Sequence, residues 1–396
     1  VSTIDVADHK GVRHPMQSFN LPYSFRIDQL RWFAATLVFL FHFSLEYRGA
    51  GGGGFSTPWM GLVTEGHTGV ALFFTLSGFL FMRIAQHQHQ QQRQILYRPF
   101  LRNRVLRIAP LYLIIFLLAI SIGRDKFQPQ DMLYLFSANL GNSPTSLSVV
   151  TGAAWCIPVE LTFYLLFPFL SRFALQSGMG YLLRLLALML VFKIMVYSES
   201  ERSSLMYFST FVGRFDQFLI GMLSAMVLQR WAAPLRRWNG TLLLASVALV
   251  ICDSALQARY APFNVVPKSG FWICWSLLES TGWACFIVGW VGWQGHLPGW
   301  LERVLTHGGK VSFSFYLLHM GLIHLLVRKL GLPALTGVAV LDAALMLAVV
   351  YGLCWGLATL SYHTIEEPFL RMRGAYGARF ATPEAERASR DASPVA

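Results

Sequence analysis

Arg31 and His42 stand eleven residues apart on the first long apolar stretch of the chain, Trp32 to Leu45. Eleven helical steps of about 100° return almost to the starting face, so both side chains point the same way, roughly 16 Å apart along the axis. In a bilayer that spacing holds an imidazole about halfway through the hydrocarbon, in line with a guanidinium at the surface. A titratable ring at that depth is costly, which makes His42 a functional-site candidate and a potential general base.

Other polar groups fall at comparable depths. Glu160, in Trp155-Cys156-Ile157-Pro158-Val159-Glu160, lies twelve residues before Arg172, roughly 18 Å by helical rise. An acid and an imidazole at matching depth are expected to meet, the carboxylate raising the basicity of the ring. Tyr164 follows one turn later. His319 lies roughly 14 Å from Lys310 by the same measure, so it is read either as part of the active cavity or as a packing residue. Arg214 and Asp216 read as a charged pair within a span, serving either as an interhelical ion pair or as a substrate contact. Arg102, Arg104 and Arg107 precede Pro110. They are headgroup anchors or, since guanidinium forks suit phosphates, a clamp for a polyanion. Asp28 sits one turn before Arg31 and is expected to fix it. Ser77-Gly78 marks either a close helix crossing or a narrow path between helices. Glu366 and Glu367 are expected to pair with the basic cluster near Arg102 to Arg107.

The elements that position these groups follow from composition. The chain has 396 residues, 55% apolar and 13% charged, with mean hydropathy +0.48. That is too apolar for a soluble domain and too long for one span. The fold class is all-α: a polytopic membrane protein with about ten helices around a central cavity. Spans are expected near 32–46, 69–84, 105–123, 155–173, 181–197, 204–229, 241–256, 270–293, 311–330 and 334–364. The connection 83–107 carries Arg83, Arg93, Arg98, Arg102, Arg104 and Arg107 without an acid, which places it and the N-terminus in the cytoplasm. Arg230, Arg236 and Arg237, then Arg371, Arg373 and Arg379, fall on the same side, so both termini are expected inside. The net charge of +12 is thereby explained by membrane topology, and nucleic acid is not an expected partner. The first thirty residues hold no cleavable leader pattern, so the first helix is expected to act as its own insertion signal.

Residues 1–23 are expected to form a cytoplasmic segment, 24–373 the membrane domain and 374–396 a disordered cytoplasmic tail. No appended soluble catalytic domain is expected. The five cysteines show no CxxC spacing, favouring neither a disulfide framework nor zinc. His87 and His89, in the Gln/His run Gln86–Gln94, read better as a solvated linker than as metal ligands. Gly51–Gly54 reads as a flexible exterior loop, and no metal is expected.

These motifs share an order. Asp28-x-x-Arg31-x10-His42, Phe74 to Phe79 with its Ser-Gly, Arg104-x-x-Arg107-Ile-x-Pro, Trp155-x4-Glu160, Ser312-Phe-Ser-Phe-Tyr-Leu-Leu-His319 and Ile365-Glu366-x-Pro together resemble the membrane-bound acyltransferase-3 family. The resemblance covers about residues 24 to 373. It implies transfer of an acyl group, usually acetyl from cytoplasmic acetyl-CoA, to a hydroxyl on a cell-envelope or exported glycan, or on a lipid-linked sugar. The setting would be the bacterial inner membrane. By position it makes Arg31 and His42 the essential first-helix pair, Arg104 and Arg107 the donor-associated arginines and Glu160 the acid after the Trp. With the residue reading above, the catalytic candidates are His42 and Glu160, and the donor-binding ones Arg31, Arg102, Arg104, Arg107 and Ser77. Asp28, Tyr164, Arg214, Asp216 and His319 are left to the substrate cavity. Cys156-Ile157-Pro158 departs from the commoner Ser-Leu-Ser-like residues, and Pro158 is expected to kink the fourth span. The alternatives are O-acylation of a small lipophilic acceptor such as a macrolide, and transport without chemistry. A transporter would be expected to show inverted repeats, which the sequence lacks.

Overall fold

The protein is described from a computed structural model, covering residues 20–53, 62, 67–122, 154–199, 207, 210–260, 269–331, 336–375 and 377–379. The expected segment 1–23 and the tail from 374 lie almost wholly outside these residues, as does Gly54.

Long helices dominate because apolar runs of twenty or so residues can satisfy their backbone groups internally only as helices once water is gone. They are α1 (Phe25–Gly49), α2 (Thr68–Gln90), α3 (Tyr97–Ile122), α4 (Cys156–Ser177), α5 (Met179–Glu199) and α6 (Phe211–Arg230). A short α7 (Ala232–Arg237) leads to α8 (Asn239–Tyr260), α9 (Phe271–Gly292), α10 (Gly299–Ile323) and α11 (Ala339–Ser361). α10 continues through a π-helical stretch, His324–Lys329. α11 runs through another, Tyr362–Glu366, into α12 (Glu367–Arg371). Among the described residues nine helices, α2 to α6 and α8 to α11, are long and apolar enough to cross a membrane. The chain is an all-α polytopic membrane protein. α1 is equally long but less apolar, because Arg26, Asp28 and Arg31 open it, and it buries fifteen residues in the bundle.

Every expected span has a helix at its place. The fourth starts at Cys156 and keeps Pro158 in its first turn, where the missing N–H costs nothing, so the expected kink has no cause there; Pro168 is the interior proline of α4. A two-stranded antiparallel ribbon, β1 (Arg93–Ile95) with β2 (Gly377–Arg379), ties the chain beyond α12 to the α2–α3 connection.

Small residues set the closest crossings, as expected where lipid gives helices no hydrophobic reason to associate. A Cβ on Gly78 of α2 would run into the Phe218 carbonyl of α6, and one on Gly221 of α6 into the Thr75 carbonyl of α2. The two glycines thus face each other's backbone. On the other side, Gly309 of α10 lies against the backbone of Asp28, and Gly308 against the Trp32 ring. α1 is thereby pressed between α2 and α10, which fixes the His42 and His319 faces opposite one another.

Candidate functional site

Two imidazoles meet inside the bundle. The Nε2 of His319 lies 2.9 Å from the Nδ1 of His42, with ring centres 5.0 Å apart. Each ring is also held by its own helix: His319 Nδ1 is 2.5 Å from the Tyr316 carbonyl, and His42 Nδ1 is 3.0 Å from the Val38 carbonyl. A carbonyl only accepts, so both Nδ1 atoms carry hydrogen. His319 Nε2 then presents a lone pair to the His42 Nδ1–H, and the pattern leaves His42 Nε2 unprotonated. Among the described residues no hydrogen bond is made to that nitrogen, and the His42 side chain is only half-buried while His319 is 1% exposed. Phe41, Phe39 and Tyr316 surround the pair.

Glu160 does not meet His42. Its carboxylate accepts hydrogen bonds from Ser77 at 3.0 Å and from the Tyr164 hydroxyl. Depth along the axis leaves azimuth open, and the expected contact is replaced by one between α2 and α4. Cys156, one turn before Glu160, donates to the Tyr316 hydroxyl at 3.1 Å. Phe73, Ser77, His42, Glu160 and Phe313 each keep partial solvent access although their neighbours along the helices are largely buried. Ring contacts link Phe73 to Tyr316 beside the imidazoles, and Phe313 to Arg107 toward the α1 N-terminus.

That end of the bundle gathers guanidinium groups. Arg31 pairs with Asp28 at 2.9 Å, and Tyr23 donates to the same carboxylate at 2.7 Å. Arg107 lies 3.7 Å from Glu366, which also accepts from Ser314. Arg104 lies over the rings of Phe81, Phe100 and Tyr164, 4.8 to 5.9 Å from their centres. Arg373 joins them. Burial first, then the charges of Arg107, Arg104 and Arg31, push its guanidinium down to about 10. Four arginines face the carboxylates of Asp28 and Glu366, so the cluster carries excess positive charge, which a polyanion would relieve. Arg102, two positions from Arg104 on the helix, is exposed and stands apart from this group. Glu367 also stands apart, paired with His363 and Arg371.

Arg373 is placed by a residue sequence reasoning passed over. Asn103, buried between Arg102 and Arg104, donates to the Gly374 carbonyl at 2.6 Å and accepts from the Gly374 N–H at 3.2 Å. The side-chain amide thus clamps the backbone next to Arg373. An asparagine amid an arginine run was the available signal.

Arg214 and Asp216 do not pair with each other. Residues two apart on a helix face different ways. Arg214 reaches Glu279 at 3.2 Å beside Trp275, and Asp216 reaches Lys193 at 2.5 Å and Ser276 at 2.6 Å. Gln217 adds a hydrogen bond to Glu279 at 2.9 Å. These four charges are 1% exposed or less and join α5, α6 and α9. The lone acid in α9 and the lone lysine in α5 were the legible signals of such partners. Behind Phe41, His67 contacts Gln257 at 3.0 Å, and Asp253 lies buried nearby on α8. Among the described residues, no three His, Cys, Asp or Glu side chains form a metal-holding group.

The model of a family described as an acyltransferase domain matches residues 25–359. Acyltransferase MdmB of Streptomyces mycarofaciens is 25% identical over 328 residues, covering 76% of this chain and 79% of that protein. No solved structure matches the chain.

Proposed function

We propose that this chain, which belongs to the acyltransferase family, moves an acyl group, most simply acetyl from acetyl-CoA, to a hydroxyl of a cell-envelope or exported glycan. Acyl transfer is the activity of the family; the donor, the acceptor and the direction are our reading. The protein sits in the inner membrane with both termini and the arginine cluster in the cytoplasm. The phosphates of CoA meet Arg31, Arg104, Arg107 and Arg373, whose forked donors suit them. The pantetheine arm passes Ser77 and Glu160, bringing the thioester to His42.

The acceptor hydroxyl arrives from the opposite end of the bundle. His42 Nε2 takes its proton as the oxygen attacks the thioester carbonyl, and the tetrahedral intermediate collapses with release of the CoA thiolate. His319 accepts from the protonated ring and shares its charge. The thiolate then recovers the proton from His42. Glu160 is a positioning residue in this scheme: it orients Ser77 and Tyr164 along the donor path.

The observation that carries the reading is the His42–His319 contact, which with the Val38 carbonyl fixes the tautomer and leaves one partly accessible nitrogen with a lone pair inside the bundle. The same nitrogen is a nucleophile, so an acyl-imidazole intermediate is the second reading. Rapid quench with labelled acetyl-CoA and no acceptor distinguishes them: trapped label on the protein supports the second.

The test is release of free CoA from acetyl-CoA by membranes containing the protein, with mass spectrometry of the producing cell's glycans. Replacing His42 by Ala is expected to lower the rate by about 10² to 10⁴, the usual contribution of a general base. An unchanged rate in folded H42A overturns the assignment.

A further inference from the structure

The end of α6, the short α7 and the start of α8 border an open surface groove of about 490 Å³ that acyl transfer does not use. Its walls include Trp231, Leu235, Trp238, Leu242 and Ala245, and they are almost wholly apolar. α7 buries none of its own residues, so it lies on the bundle's outer surface. Trp231 and Trp238 flank it at 42% and 61% exposure. Amphipathic rings of this kind sit where hydrocarbon gives way to headgroups.

Three cations adjoin its lining residues along the chain: Arg230 precedes Trp231, and Arg236 and Arg237 fall between Leu235 and Trp238. Arg230, Arg236 and Arg237 are all exposed, and the Arg230 guanidinium lies 5.4 Å from the Trp231 ring centre. No Asp or Glu occurs between Asp216 and Asp253, so none of these charges has an acid nearby in sequence. An apolar slot beside three cations is complementary to one kind of molecule, with a hydrocarbon tail and an anionic head. We propose that this groove binds one anionic phospholipid of the membrane, its acyl chain between Trp231 and Trp238 and its phosphate on Arg230, Arg236 and Arg237. The lipid completes the packing of α7 against α6 and α8, which the chain leaves open. This holds whether or not the acyl-transfer scheme above is right.

Native mass spectrometry of the full chain in detergent tests it, with dioleoyl phosphatidylglycerol and dioleoyl phosphatidylcholine at equal concentration. The wild-type chain is expected to retain the glycerol lipid over the choline lipid by about tenfold or more, since each arginine near an anionic head is worth about fivefold. R236A/R237A should remove most of that preference. A245W, which fills the slot and keeps every arginine, should lose the bound lipid. R259A, at the opposite end of α8, should change nothing. Equal retention of the two lipids by the wild type would mean ordinary annular lipid only and overturns the proposal. So would an undiminished preference in R236A/R237A, or a protein dimer that A245W dissociates.

Discussion

An imidazole acts as a base through whichever nitrogen its surroundings leave bare, and for His42 that choice is made by the Val38 carbonyl together with the Tyr316 carbonyl acting through His319. Replacing His319 by Ala removes one of the two acceptors on His42 Nδ1–H, leaving the Val38 carbonyl, and loosens the hold on the ring. CoA release is expected to fall on the order of 10² in kcat, with donor KM unchanged. Gln in the same place offers a carbonyl oxygen and should restore part of the rate and the shape of the pH profile. A donor KM that moves with kcat would make His319 a packing residue instead. The depths of His42 and His319 were legible because helical rise converts sequence distance into ångströms. Glu160's partners were not, since depth carries no information about azimuth or about which helices are neighbours. Arg214 and Asp216 show the same limit in reverse: they lie two positions apart, and their true partners, Glu279 and Lys193, lie on α9 and α5.

Among the elements, the α2–α6 crossing rests on Gly78 and Gly221, each facing the other helix's backbone. Gly221→Leu must push the two helices apart. It is expected to cost at least the 1–3 kcal/mol typical of overpacking, read as a lower melting temperature in detergent. Gly356→Ala on α11, where nothing lies within 4 Å, should not lower that temperature, and the better helix former should raise it slightly. On the proposed reading, the Asn103 clamp serves donor binding by holding the backbone beside Arg373. Asn103→Ala should release the segment carrying Arg373 and raise donor KM severalfold with kcat unchanged, matching Arg373→Ala. If N103A changes kcat alone, the clamp serves the chemistry by some other route. The ten long segments were readable because twenty apolar residues in a row have one solution in lipid. The β1–β2 ribbon and α7 were not. Each is too short to carry a period, and each forms because neighbouring elements bring its ends together.

Across the whole molecule, ion pairs at 1% exposure or less join α5, α6 and α9. Breaking one side of such a pair leaves an uncompensated charge in the dry interior. Lys193→Met is therefore expected to destabilise by about 3–5 kcal/mol. K193M/D216N, which removes both charges, should recover much of the loss, as a double-mutant cycle in denaturation would show. Full recovery would mean that the charges serve something other than stability. α1 poses a different problem. It is the least apolar of the long helices, and its place between α2 and α10 is its main shelter. From Gly49 to Gly299, where α10 begins, is 299 − 49 = 250 residues. At translation speeds of about 5–20 residues per second, that is a delay of roughly 12 to 50 s. A nascent chain must therefore keep its first segment waiting beside the insertion machinery until α10 has been made. Ribosomes halted before Gly299 should yield a product that slips back from the bilayer or is cleared by quality-control proteases.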